Sequence, residues 1–232
     1  MLVQNWMSRP AVTIDADDNL TEAARRLKQH RIHALPVLRR GKLIGLVTDG
    51  DLKQASASEA TSLEVHELAY LIDKIKMKQI MTAEPVTISF DGTLSEAADL
   101  FLEKDIPLLP VIAGRAQMVG VIAPSDISRA FVCMTAAGRK GVEIGLQVKD
   151  QPGVTLSLLE SVRNCSARIG SVISIDSDAP DGFRHVYLRI YGIEHTQLAR
   201  LLPLLKTGGR LLFFVDHERN DRNIYTPTMV VA

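Results

Sequence analysis

The sequence is poor in the residues that make a protein's chemistry easy to read. It has two cysteines, Cys133 and Cys165, one tryptophan, 5% aromatic residues and no formal net charge. Two cysteines form no CxxC pair and no disulfide framework, which excludes a zinc ribbon or a disulfide-stapled scaffold. Both lie in apolar helical stretches and are expected to be packed rather than reactive. Residues 1–138 carry 15 basic and 17 acidic side chains, and the rest carry 12 and 10. Neither part has the basic excess of a phosphate-backbone binder, so no nucleic-acid partner is expected. The longest apolar runs, such as Leu211 to Val215, fall far short of the roughly 20 residues of a membrane span. Met1 to Arg9 carries no basic start, apolar stretch and cleavage site, so a cytoplasmic protein without a membrane partner is expected. There is no GxSxG, P-loop or dinucleotide fingerprint. His66-Glu67 has no second histidine at the spacing a metal helix needs. No catalytic residue and no metal ligand is therefore assigned. What is present is an ordinary globular balance, 46% apolar and 23% charged over 232 residues. It suits one large domain or two modest ones.

The strongest positive signal is an internal duplication with a period of 74–75 residues. With Met7 set on Met81, Val12-Thr13-Ile14 falls on Val86-Thr87-Ile88. Leu20 to Ala24 falls on Leu94 to Ala98, and Leu35-Pro36-Val37 on Leu109-Pro110-Val111. After a one-residue insertion, Gly45 meets Gly120 and Asp51 meets Asp126. There are 15 identities in 46 aligned positions, which marks a true repeat. Each copy reads strand, helix, strand, strand, helix. Ala11 to Ile14 is short and β-branched. Asn19 and Thr93, with glutamates three residues on, predict capping boxes at the helix starts. Ala34 to Leu38 is a strand whose proline predicts an edge position or a strand start. Arg39 to Lys42 is a hairpin turn, Leu43 to Thr48 a further strand, and a helix begins near Asp51. A unit of about 50 residues buries too little surface alone, so the two copies are expected to face each other.

This pattern resembles a tandem CBS domain pair, also called a Bateman module, over residues 1 to about 131. The segments are repeat 1 at 1–56, a helical connector at 57–78 with a helix over Leu63 to Ile72, and repeat 2 at 79–138. The chemistry sits where the last strand of each copy turns into a helix. Free N–H groups and a positive dipole end suit a phosphate there, and a nearby carboxylate suits a ribose diol. The resemblance implies an adenine nucleotide (ATP, ADP or AMP) or S-adenosylmethionine as a regulatory ligand, with no cofactor required. By that resemblance Thr48 and Asp51 take phosphate and ribose, His33 faces phosphate, and the adenine lies near Thr13, Ile32 and Ala34. In copy 2 the matching residues are Ser125, Asp126, Thr87 and Ile106. Ala123, Pro124 and Pro107 depart from copy 1, so the Thr48/Asp51 site is expected to be the better anion site, and the Asp126 site to bind weakly, to bind adenosine without phosphate, or to be vacant.

The second half has another rhythm. Strands over Gly141 to Val148, Ser171 to Asp176, His185 to Tyr191 and Arg210 to Val215 alternate with helices over Val154 to Arg163 and Gln197 to Leu205. Pro203 predicts a kink or late disruption in the second of these helices. The order βαββαβ is the ferredoxin-like split. With Asp150-x-Pro152-Gly153 it resembles an ACT domain, placed at 141–218, followed by a tail at 219–232. That resemblance implies an amino-acid site at Gly153 and Val154. The expected fold class is α+β. The whole combination resembles the bacterial acetoin-utilisation CBS–ACT family. The function expected is a non-catalytic, homodimeric sensor that relays ligand state to its own ACT-like half or to a partner metabolic enzyme. The alternative is a ligand-independent dimerisation scaffold for such an enzyme.

Overall fold

The computed structural model describes residues 1–59, 73–114 and 117–225. Residues 60–72 of the connector, with the helix read over Leu63 to Ile72, and the tail from 226 onward lie outside the described residues. The described chain divides into two compact units, 1–129 and 130–232.

In the first unit the two repeats fold alike. Repeat 1 is β1 (Ile14–Asp15), α1 (Leu20–His30), β2 (Ala34–Arg39), β3 (Lys42–Thr48) and α2 (Asp49–Glu59). Repeat 2 begins with α3 (Met77–Ile80) and β4 (Thr82–Ala83). It continues through β5 (Ile88–Ser89), α4 (Leu94–Lys104), β6 (Leu109–Ala113), β7 (Gln117–Ile122) and α5 (Pro124–Met134). The strand expected over Ala11 to Ile14 is shorter, because only Ile14 and Asp15 find partners, at Val37 and Leu38 of β2. That short parallel pairing also accommodates the proline. Pro36 lies opposite Leu46 of β3, at a point where β2 has no neighbour on its other side. The β2–β3 hairpin turns through Arg40 and Gly41, both at positive φ, a twist that matches the strands it joins.

The helix starts differ instructively. Thr93 and Glu96 close a full capping box, with Glu96 N–H donating to Thr93 Oγ1 at 3.2 Å and Thr93 N–H to Glu96 Oε2 at 2.7 Å. In copy 1 only half of the box forms. Glu22 N–H donates to Asn19 Oδ1 at 2.9 Å. The Glu22 carboxylate turns instead to Arg25 and Arg26, at 2.7 and 2.6 Å. Asp99 and Leu100 stand in the places of those arginines in copy 2 and offer no such competition.

The repeats interlock. β4, which leads repeat 2, adds to the repeat 1 sheet, giving the order β1-β2-β3-β4. Ser8, from the leader of repeat 1, bridges Val121 in β7 of the repeat 2 sheet, β5-β6-β7. The recurrence of a methionine and a glycine in both copies follows from this exchange. A Cβ on Gly120 would stand 2.9 Å from Met7 Sδ, and one on Gly45 would collide with Met81 Sδ. Ala34, Leu46 and Leu108 are buried together across the repeats, with Val121 and Ala123 against them.

The second unit has β8 (Val142–Lys149), α6 (Val154–Asn164), β9 (Arg168–Ile175), β10 (Phe183–Tyr191), α7 (His195–Gly208), β11 (Arg210–Asp216) and β12 (Asp221–Ile224). The sheet order is β12-β11-β8-β10-β9. Alternate residues of β8 and β10, including Ile144, Leu146, Leu188 and Ile190, pack against Leu158 and Val162 of α6 and Leu201 and Leu205 of α7. α7 runs unbroken through Pro203 and ends at the Gly208-Gly209 pair, because the buried Leu201 and Leu205 hold it on both sides of the proline. Residues 219–225 are not a featureless tail, since β12 pairs with β11. Thr135 and Ala136 also belong with this unit: Ser171 Oγ donates to the Thr135 carbonyl at 3.2 Å, and Ala136 packs at Gly170. Cys165 is buried as expected, whereas Cys133 is exposed.

Candidate functional site

The two strand-to-helix turns have the same architecture and different completeness. At the start of α2, Thr48 and Asp51 close a capping box of their own. Asp51 N–H donates to Thr48 Oγ1 at 3.2 Å, and Asp51 Oδ2 accepts from Thr48 N–H and Thr48 Oγ1, both at 2.8 Å. At the start of α5, Ala123 brings no hydroxyl, so one half is missing. Asp126 Oδ2 still accepts from Ala123 N–H at 2.8 Å. Pro124 fills the first helical position, where its missing N–H is no loss. Asp126 Oδ1 is paired with Arg129, one turn along the helix. The Asp126 side chain is 5% exposed and that of Arg129 is 62% exposed, so the pair joins a buried carboxylate to a solvent-facing guanidinium.

A cavity of about 640 Å³ lies beside this second turn, within the range of small-molecule sites. One wall comes from repeat 1: Pro10, Ala11, Val12, Ile32, His33 and Ala34. The other comes from repeat 2: Leu108, Val121, Ala123 and the Ser125, Asp126 and Arg129 side of α5. The exchange of leaders explains the mixture, since the Ser8–Val121 bridge lays the repeat 1 leader against β7. Of the sequence-predicted residues, Ile32, His33, Ala34, Ser125 and Asp126 come together here. The carboxylate that lines the cavity with Ile32 and Ala34 is that of Asp126. Thr48, Asp51, Thr13, Thr87 and Ile106 lie outside its lining. Thr13 directs its carbonyl to the Arg26 guanidinium. His33 is exposed, with Nδ1 3.4 Å from Asp49 Oδ2. Arg129 was not foreseen, although its position three residues after Asp126 on a helix start is the spacing of an ion pair.

In the second unit, Gly153 and Val154 line a depression of about 680 Å³ with Ser157, Ser161, Lys206 and Arg210. Gly153 holds φ +85°, a left-handed conformation that favours glycine and sets the start of α6.

A family model described as CBS domain matches residues 3–58 and 77–133. A CBS domain-containing protein of Dictyostelium discoideum is 32% identical over 128 residues, 55% of this chain and 88% of that protein. The L-aspartate semialdehyde sulfurtransferase of Methanocaldococcus jannaschii is 29% identical over 131 residues, 56% of this chain. The match covers only 23% of that enzyme's length. Among solved structures, a CBS domain pair in complex with 5′-methylthioadenosine and S-adenosyl-L-methionine is 29% identical. It covers 56% of this chain and 95% of that one, with a TM-score of 0.48.

Proposed function

This chain belongs to the CBS domain family, and from that premise we propose that it is a non-catalytic sensor whose cleft takes an adenosine ligand, a nucleotide or S-adenosylmethionine. The observation that carries the reading is the cavity of about 640 Å³ with apolar walls and one buried carboxylate, Asp126. Val12, Ile32, Ala34 and Leu108 offer surface for a purine, Asp126 suits a ribose diol, and His33 and Ser125 offer polar groups at the rim. Thr48 and Asp51, with Thr87 and Ile106 from the other copy, form the corresponding second site by the repeat. A ligand that prefers one arrangement of the unit shifts its population, and the shift is what a partner reads.

The second unit is proposed as an ACT-like reader. Its βαββαβ order and its Asp150-x-Pro152-Gly153 turn support this, and Gly153 and Val154 would meet a small amino acid. A homodimer, relay to a metabolic enzyme and a setting in acetoin catabolism complete the proposal. The competing reading is a ligand-independent scaffold. It is favoured by the saturation of both turns, since Asp51 and Asp126 already serve as caps.

The test is a melting-temperature series with AMP, ADP, ATP and S-adenosylmethionine on protein stripped of nucleotide. A ligand at 100 times its Kd stabilises by about 2.7 kcal/mol. A shift that is lost in Asp126→Asn supports the sensor. No shift with any of the four ligands moves the assignment to the scaffold.

A further inference from the structure

We propose that Arg129 is a specificity-determining residue of the Asp126 cleft, selecting adenosine ligands that carry a phosphate. The inference rests on the adenosine reading above and goes on to name the ligand class. Asp126 is buried, and its two oxygens have partners of different kinds. Oδ2 is held by a backbone N–H, that of Ala123, at 2.8 Å. Oδ1 is held by the Arg129 guanidinium, at the end of a long side chain that is mostly in solvent. The first partner is fixed by the start of α5, and the second swings on its own torsions. A ribose hydroxyl that donates to Oδ1 competes with Arg129 for the same oxygen.

The displaced guanidinium stays at the cavity wall, which it lines together with Asp126 and Ser125. A phosphate on the same ligand gives it a new partner, in the planar two-pronged geometry that guanidinium favours. Uncharged adenosine displaces Arg129 and offers nothing in return. S-Adenosylmethionine brings a cationic sulfonium toward a wall that already holds Arg31 and Arg129. Repeat 1 has Gln54 at the aligned position, so the device belongs to the Asp126 cleft alone. The phosphate preference therefore falls on the cleft whose turn has lost its hydroxyl, the reverse of what the turn sequences suggest when read alone.

The experiment is isothermal titration of AMP, adenosine and S-adenosylmethionine into the full chain, as wild type, Arg129→Ala, Arg129→Lys and Asp126→Asn. Wild type is expected to prefer AMP to adenosine by about tenfold or more, the scale of one charge-assisted contact. In Arg129→Ala, adenosine tightens, AMP weakens and the preference falls below about threefold, while Arg129→Lys lies between. An AMP-to-adenosine ratio that is unchanged in Arg129→Ala, or a wild type that prefers S-adenosylmethionine, overturns the role of Arg129 and leaves the adenosine site standing. Binding of none of the three to wild type, or binding unaltered by Asp126→Asn, overturns the adenosine reading of this cleft and the inference with it. Arg129→Lys keeps the charge and stem, so it decides the matter if the alanine variant is poorly folded.

Discussion

Replacing Asp126 separates its two roles. In Asp126→Ala the Ala123 N–H loses the side-chain oxygen that accepts it at 2.8 Å, and Arg129 loses its partner. An orphaned donor at a helix start costs about 1–2 kcal/mol. The ion pair adds at most about 1 kcal/mol, because the guanidinium is largely in solvent. Asp126→Ala should therefore destabilise the first unit by about 2 kcal/mol. Asp126→Asn keeps an oxygen for Ala123 N–H and turns an amide donor toward Arg129, whose solvent-facing guanidinium moves away, so it should cost about 1 kcal/mol or less. Trp6, the sole tryptophan, lies in the first unit, so its fluorescence follows urea unfolding there. The alanine midpoint should fall clearly below that of asparagine with unchanged denaturant slope. Equal losses in the two variants would refute the capping argument and assign the stability to charge. An alanine variant as stable as wild type would refute both contributions.

Three further outcomes are expected. The Glu22 carboxyl is held down at about 2 by hydrogen bonds from Arg25 and then Arg26. Its contribution to stability is therefore complete above its ordinary value of 4.5, declines as pH falls below that, and is gone below about 2. An NMR titration of the Glu22 side chain checks this, and Arg25→Ala should raise the midpoint. Gly120→Ala should destabilise the first unit by about 1–3 kcal/mol, because the new methyl meets Met7 Sδ and the Ser8 carbonyl oxygen, each at 2.9 Å; urea melts followed by Trp6 fluorescence would show the loss. Leu201→Ala, at a fully buried position in the second unit, should cost that unit about 2–5 kcal/mol. Circular dichroism should then show an earlier transition that Trp6 fluorescence does not share.

The local grammar of the chain was legible because it depends on near neighbours. The helix starts at Asn19 and Thr93 announce themselves through glutamates three residues on, and Arg40-Gly41 supplies the positive φ values a tight hairpin needs. What failed locally failed by competition. Glu22 was expected to close a box and was taken by Arg25 and Arg26, a choice among charges that spacing alone does not rank. β12 was missed because Asp221 to Ile224 lacks an apolar face: it pairs through its backbone at the edge of a sheet, which side-chain patterning does not report.

The sequence by itself determined the duplication, the strand-helix-strand-strand-helix order of each repeat, the βαββαβ order of the second unit up to β11 and the two carboxylates at equivalent turns. All of these follow from patterns within one repeat or one element. Only the tertiary structure decided which carboxylate shares a cavity with Ile32 and Ala34. The leaders of the repeats change places, Ser8 against Val121 and β4 against β3, so each wall of the cleft comes from a different copy. Internal similarity makes the two copies equivalent and so cannot say which surface of one meets which surface of the other. That is settled by long-range packing of Met7 on Gly120 and Met81 on Gly45, which puts Asp126 and Arg129 opposite the Val12, Ile32 and Ala34 wall of repeat 1.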